Sequence, residues 1–494
     1  ILSKFSPLEW RGLSSVTTTL DYSLQERVEI LLRNYLRSVE NRGISNGAAV
    51  VVDNATGEVL SLVGSKDFFD ELHDGQVNGA LALRQPGSTL KPFTYALALE
   101  RGLTAATLID DSPAQSAIEA DYMPQNYDRK YHGRMSLRAA LACSYNIPAV
   151  AVLQAVGSDL LYQRLKALGF ESLKQNPSYY GIGLTLGNGE VGLLELVVAY
   201  AALARQGLFT AGRSILGLER NNAEEGSKAP ISPTPRCVFS PQVAYIITHI
   251  LADRDARVPS FGYHTPLSFP FPVAAKTGTS RDFRDNWVVG FSPKYTVGVW
   301  VGNFDGKPMH NVSGITGCGP LFRDIMLCLH ERGTWGDFPQ PEGIVRLAVC
   351  PLSGEQATSS CPGTIEEIFI RGTEPRGRCF RHSQENINLL AYEGVGRKEA
   401  TARFEISFPP SGAIFKLDPI LRQEHQRLKL RASVPPGTRV EKVEWWIDEK
   451  KLGEAPSPYS IFWNLRPGTY TIKAKALSGS QMIESLPVKI SVLT

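Results

Sequence analysis

Gln85-Pro86-Gly87-Ser88-Thr89-Leu90-Lys91-Pro92-Phe93 is the stretch from which the rest of the chain can be read. Pro86-Gly87 breaks the structure before it, Ser88 is a residue type favoured at or next to a helix start, and Pro92 falls where a missing N–H costs little. A helix opening at Ser88 sets Lys91 on the same face one turn along, beside the hydroxyl. Ser88 then feels the positive end of the helix dipole, and a desolvated lysine gives up its proton readily enough to take one from serine. On its own, a Ser-x-x-Lys is usually a solvated helix face. Two later motifs change that reading: Ser144-Tyr145-Asn146, and then Lys276-Thr277-Gly278-Thr279-Ser280. Singly, the first is a common turn and the second an ordinary strand or turn. Apolar Pro272-Val273-Ala274-Ala275 leads into Lys276 as a strand does. In this order the three make up the Ser-x-x-Lys, Ser-x-Asn, Lys-Thr-Gly set of an activated serine.

With these residues in place the sequence resembles the penicillin-binding, active-site-serine transpeptidases. The likeness extends from Val16 to Glu331 through Asn126-Tyr127-Asp128, Tyr131-His132-Gly133, Leu137-Arg138-Ala139-Ala140-Leu141, Ile147-Pro148-Ala149-Val150 and Asp285-Asn286-Trp287-Val288-Val289-Gly290-Phe291. Within the family it resembles the transpeptidase half of the 1C type, and Tyr145 stands where beta-lactamases often have Asp. The resemblance implies a five-stranded antiparallel sheet flanked by helices, with a helical subdomain and the site between them. It implies acyl transfer from a peptidoglycan stem peptide ending in D-Ala-D-Ala, and acylation by beta-lactams. Ser88 would be the nucleophile, Lys91 its base, Ser144 a proton relay, and Asn146 a holder of the substrate amide or of Lys91. Lys276, Thr277, Gly278 and Thr279 would take the substrate carboxylate, and the N–H groups of Ser88 and Thr279 the oxyanion.

A chain of 494 residues, 43% of them hydrophobic, holds two to four globular domains with a substantial core. A net charge of +3 without any dense Lys/Arg run argues against a nucleic-acid partner. No stretch approaches the ~18 apolar residues of a membrane span, and no signal peptide is present. The chain opens on Ile1, and the resemblance places a membrane anchor upstream, so the sequence reads as a piece whose anchor is missing. The location implied is the cell envelope, on the outer face of the cytoplasmic membrane or in the periplasm.

Residues 1–19 read as a linker or edge strand, and a Ser23–Glu26 capping box predicts a helix from about 24 to 40. Ala48–Val52 and Val59–Gly64 read as strands joined by a turn, and the nucleophile helix stops near Gly102. Leu137–Gln154, Leu160–Gly169 and Val191–Gln206 read as helices of an all-helical subdomain. Gly181–Glu190 is glycine-dense, serving tight packing or substrate contact, and Asn221–Arg236 reads as a surface loop. Ser240-Pro241 starts a helix, Trp287–Phe291 and Thr296–Gly302 are strands, and Leu321–His330 closes an α+β domain spanning 20–331.

A turn-rich connector follows over 332–403, with Cys350, Cys361, Cys379 and His382 open to three readings: a disulfide, a Cys3His zinc site, or free thiols. Cys143, Cys237, Cys318 and Cys328 read as packed small side chains. No metal motif occurs at the active site and no cofactor is expected. From Phe404 to Thr494 alternation dominates, with Leu428/Leu430/Ala432, Val443/Trp445/Ile447, Ile472/Ala474/Ala476 and Val488/Ile490/Val492 punctuated by Pro435-Pro436-Gly437 and Arg466-Pro467-Gly468. These predict a small all-β, immunoglobulin-like sandwich over 404–494. It resembles the C-terminal domain of the 1C type and is a binding or spacing module for another envelope protein or glycan. A D,D-carboxypeptidase and a non-catalytic sensor or scaffold that is still acylated remain as competing readings. A beta-lactamase is disfavoured, since no Glu-x-x-x-Asn is placed for deacylation.

Overall fold

Short apolar runs bounded by turn residues become the strands that carry the site. A computed structural model describes residues 13–112, 124–220, 234–310, 312–331, 335–382, 404–409, 413–417, 426–434, 440–457, 459–478 and 481–493. They fall into two compact units, Ile1–Ile387 and Asn388–Thr494. In the first unit β1 (Leu13–Thr18) pairs antiparallel with Ile215–Arg220. Helix α1 (Tyr22–Ser38) corrects the expected start: Asp21, in extended backbone, accepts from the Leu24 N–H. A carboxylate ahead of the first helical residue caps the helix before Ser23 can, so the Ser23–Glu26 box is not formed.

The central sheet comprises β2 (Asn46–Asp53), β3 (Val59–Val63), β4 (Ala274–Thr279), β5 (Asp285–Phe291) and β6 (Tyr295–Gly302). Their order is β3-β2-β6-β5-β4, antiparallel throughout. Strand alternation sends Val288 and Val299 to one face, against Leu32, Leu36, Phe322 and Ile325 of α1 and the helix Gly319–Leu329. Trp287, Val289 and Trp300 point the other way, into the core built on Phe93, Leu97, Val197 and Tyr200. β4 is thereby left at the sheet edge, with one side paired to β5 and the other turned to the nucleophile segment.

Helix α2 (Lys91–Glu100) is buried from Lys91 to Leu99. The run Leu137–Gln154 is not one helix. It divides into α3 (Leu137–Ala142) and α4 (Asn146–Val156), with Ser144 between them at φ +62. The helices Ser158–Ala167 and Leu193–Ala204 follow as read, and Pro241–Ala252 is capped by Ser240, whose Oγ accepts from the Val243 N–H. Most of the loop read at Asn221–Arg236 lies outside the described residues. Cys143 and Cys318 are buried, but Cys237 is exposed, because it lies in a two-residue strand, Arg236–Cys237, with both side chains open to solvent.

The segment read as a turn-rich connector carries an antiparallel pair, β7 (Ile344–Val349) and β8 (Ile365–Ile370). Ile344 and Ile368 join the core of the catalytic unit. Buried Arg138 of α3 donates to Glu367 of β8 through Nε at 2.7 Å and Nη2 at 2.5 Å, and to Asp253 at 3.0 Å. Residues 383–403 of the connector lie outside the described residues. In the second unit, a three-stranded sheet (Glu405–Phe408, Arg427–Ser433, Ser460–Asn464) and a six-stranded one share a core. All four alternating triplets read from the sequence are buried in it. One pair, Ala413–Lys416 with Val488–Leu493, is parallel. The Pro435-Pro436-Gly437 turn lies outside the described residues. Among the described residues no helix is long and apolar enough to cross a membrane.

Candidate active site

The nucleophile segment enters α2 through a 3₁₀ turn, Gly87–Leu90, in which the Lys91 N–H donates to Ser88 O. Positions i and i+3 eclipse in this geometry, so Ser88 and Lys91 share a face in a tighter turn than the α-helix read from the sequence. Two aromatic side chains fasten it from outside: Trp287 Nε1 donates to Gln85 O at 2.9 Å and Tyr200 Oη to Thr89 O at 2.6 Å. Glycines let the main chains meet. Gly87 has φ +56 and a Cβ there would lie 2.8 Å from Thr279 N, while a Cβ on Gly278 would lie 2.2 Å from Pro86 O. Gly187, at φ +80, abuts Gly87 in the same way, so this part of the glycine-dense stretch serves packing, and Leu186 beside it lines the cleft.

The second motif is a helix C-terminus. The Ser144 N–H donates to Leu141 O and the Tyr145 N–H to Ala140 O, the paired bonds of a Schellman turn in which the left-handed position is usually Gly. Serine there costs about 1 kcal/mol of backbone strain. The turn aims two carbonyls at α2: Lys91 Nζ donates to Ser144 O at 2.6 Å, Tyr145 O at 3.0 Å and Asn146 Oδ1 at 2.7 Å. None of the three bonds goes to Ser88 Oγ. Asn126, quoted from the sequence without a role, explains how Asn146 is held: its Oδ1 accepts from the Asn146 N–H at 2.8 Å, and its Nδ2 donates to Asp111 at 2.7 Å.

Lys276 Nζ donates to Ser144 Oγ at 2.6 Å and to Thr277 O at 2.9 Å. Burial, joined by the charge of Lys276, holds the Lys91 pKa well below its ordinary value. Burial, with the charge of Arg257, brings Lys276 down to about 7. Arg257, on α5 (Arg254–Phe261), had no motif to announce it. The hydrogen bonds of Lys276 and Arg257 go to neutral oxygens, which leaves their charge to favour an incoming anion. A neutral Lys91 has two N–H donors for three oxygens. Burial and Lys276 thus favour the proton-free amine, while the oxygen cradle favours the ammonium that forms once a proton is accepted.

Ser88, Ser144, Asn146, Thr277 and Thr279 line one cleft of about 320 Å³. Thr279 Oγ1 accepts from the Gly314 N–H at 2.9 Å, which leaves its hydroxyl proton to donate. Tyr127 stands at the cleft, edge-on to Phe283.

The family described as penicillin binding protein transpeptidase domain matches residues 47–327, more than half of the chain. The chain belongs to this family. Residues 340–384 match the penicillin-binding protein 1A C-terminal domain, and 394–481 the penicillin-binding protein C-terminus family. Penicillin-binding protein 1C of Escherichia coli is 33% identical over 382 residues, 76% of this chain and 47% of that protein. Penicillin-binding protein 1A of Aquifex aeolicus is 33% identical over 67% of this chain and 44% of its own. The chain therefore spans less than half the length of these relatives. PonA1 of Mycobacterium tuberculosis, solved with penicillin V, superposes with a TM-score of 0.57 at 22% identity over 69% of this chain and 92% of that one. Penicillin-binding protein 1A of Haemophilus influenzae gives 0.57 at 24%, over 67% and 54%. At these identities the solved structures speak to the transpeptidase α+β fold.

Proposed function

We propose that this chain is a peptidoglycan D,D-transpeptidase of the cell envelope, forming a serine acyl-enzyme and acylated by beta-lactams. The observation that carries the reading is the meeting of both lysines at Ser144, Lys91 on its carbonyl and Lys276 on its Oγ, with Ser144 and Ser88 lining one cleft. Ser88 Oγ attacks the penultimate D-Ala carbonyl and its proton passes to Lys91, where three oxygens receive the ammonium. The Ser88 and Thr279 N–H groups hold the oxyanion as the C–N bond breaks. Ser144 Oγ hands a proton to the departing D-Ala amine and is resupplied by Lys276, whose Nζ donates to it. Lys276, Thr277 and Thr279 bind the terminal carboxylate. The amine of a second stem peptide then attacks the acyl-enzyme, passing its proton through Ser144 back to Lys276, and Ser88 leaves with the proton held on Lys91, giving a cross-link and the free serine. Incubation with a D-Ala-D-Ala peptide and an amine acceptor tests this: cross-linked product by mass supports transfer, and hydrolysed product alone establishes a carboxypeptidase.

Lys276 yields a pH prediction. With its pKa brought down to about 7, the ammonium that pairs with a carboxylate is present below that pH and lost above it. The acylation rate of a carboxylate-bearing beta-lactam, divided by that of its ester, therefore falls as pH rises through neutrality. Lys276→Ala lowers this ratio and flattens its pH dependence. A ratio that is pH-independent in the unsubstituted protein, or unchanged by the substitution, removes Lys276 from carboxylate recognition.

The second unit has its own core, from Phe404 to Val492, and carries none of the three motifs. A chain lacking 404–494 is expected to be acylated within a few-fold of the full chain, while binding to an envelope protein or glycan is lost. A truncated protein that stays folded but loses acylation by orders of magnitude refutes this modular reading.

A further inference from the structure

Four metal-ligand side chains gather in the β7–β8 region, away from the chemistry above. Cys350 follows β7 directly, and its carbonyl accepts from the Ser353 and Gly354 N–H groups in a tight turn. Gly354 is left-handed, at φ +74, and a Cβ there would meet Ala106 O at 2.6 Å. Cys361 closes a second turn, its sulfur accepting from the Thr358 N–H at 3.3 Å. After β8 come Cys379, whose N–H donates to Gln356 O, and His382. One ligand atom from each of the four lies within 4.8 Å of all the others. His382 Nδ1 is 3.3 Å from Cys379 Sγ and 3.7 Å from Cys350 Sγ.

We propose that Cys350, Cys361, Cys379 and His382 form a structural Cys3His zinc site. Zn–S bonds of ~2.3 Å and a Zn–N bond of ~2.0 Å in a tetrahedron put ligand atoms roughly 3.5–3.8 Å apart, the spacing around which the His382 distances fall. Four protein ligands close the coordination sphere and leave no position for a reacting water, which makes the site structural. Thiolate ligands select zinc over magnesium, calcium or manganese. A disulfide joins only two sulfurs and gives no reason for a third sulfur and an imidazole to converge on them. The Thr358 N–H is placed to stabilise a thiolate. Binding converts three thiols to thiolates, with their protons released to solvent and no change in the metal's oxidation state.

The site clamps a part of the fold that matters for the second motif. Val349 and Phe369 of the hairpin pack on Ala106, whose neighbours Ala105 and Thr107 accept from the Arg138 and Leu137 N–H groups at the start of α3. Glu367 on β8 holds Arg138 on that same helix, which ends at Ser144.

The full chain, purified without chelator, is expected to hold about one zinc per chain by elemental mass spectrometry. After chelation, Co²⁺ restores one equivalent with the visible bands and thiolate charge transfer of a tetrahedral site. Cys361→Ser and His382→Ala take the zinc content towards zero, whereas Cys237→Ser, at an exposed thiol, keeps it. Denatured with chelator and without reductant, the protein alkylates at all seven of its cysteines. Alkylation two short of that, marking a disulfide among these residues, overturns the proposal. So does a fully reduced protein that takes up neither zinc nor cobalt. Should a variant fail to fold, the cobalt spectrum of the unsubstituted chain decides.

Discussion

Penicillin is expected to form one covalent adduct per chain, on Ser88, and none on Ser88→Ala. Ring opening leaves the whole drug on the serine, so the protein gains the full mass of penicillin and a single active-site peptide carries it. The loss in the variant is all-or-none because the bond that defines the adduct requires Ser88 Oγ. Substitution is mild for the fold. Ser88 is half-buried at the cleft, and the segment is fastened by Trp287 and Tyr200 through main-chain carbonyls that alanine retains. Its thermal midpoint stays near that of the unsubstituted chain. An adduct mapped to another residue, or one that survives in folded Ser88→Ala, removes the nucleophile assignment.

Lys91→Ala lowers the acylation rate by roughly 10²–10⁴, the usual worth of a positioned general base. This substitution also strips donors from Ser144 O, Tyr145 O and Asn146 Oδ1, so a rate loss alone does not separate base from brace. The pH profile does. Burial and Lys276 push the Lys91 pKa down, which favours the proton-free base, and that base is lost, and the rate with it, as falling pH protonates it. The residual rate of Lys91→Ala lacks that acid limb. A variant that retains the limb owes it to another group, and Lys91 is then only structural.

Strands of the central sheet were legible because turn residues bound each apolar run: Asp53-Asn54-Ala55-Thr56-Gly57 between β2 and β3, and Ser292-Pro293-Lys294-Tyr295 between β5 and β6. The sandwich strands were legible through period-two alternation, as at Val443, Trp445 and Ile447. The break at Ser144 was hidden. The apolar pattern runs on across Leu137–Gln154, and a left-handed position filled by serine lacks the glycine that signals a helix end. The β7–β8 pair was obscured because its strands carry charges, among them Arg346, Glu366 and Glu367, and Glu367 is buried by a partner on α3 that only the tertiary fold supplies. Three motif segments could be named from sequence. A bond from Asn146 to Lys91 is among the roles the resemblance implies; that the Ser144 and Tyr145 carbonyls also hold Lys91, or that Arg257 bears on Lys276, depends on distances between elements far apart in the chain.

Given the proposed acylation by beta-lactams, the glycine contacts around the nucleophile turn limit how this chain could escape such a drug. Main chain rests on main chain where Gly87 meets Thr279, Gly278 meets Pro86, and Gly187 meets Gly87. Any side chain at these three positions displaces the serine from the strand edge, and it does so for the natural peptide and for the drug alike. A single substitution here offers no discrimination between them. Discrimination has to come from the rim, where Tyr127, Phe261 and Ile315 line the cleft and are not among the close contacts of the three glycines. Resistance arising in this chain is therefore expected to accumulate as rim substitutions that act on the drug's outer substituents, with the three glycines unchanged.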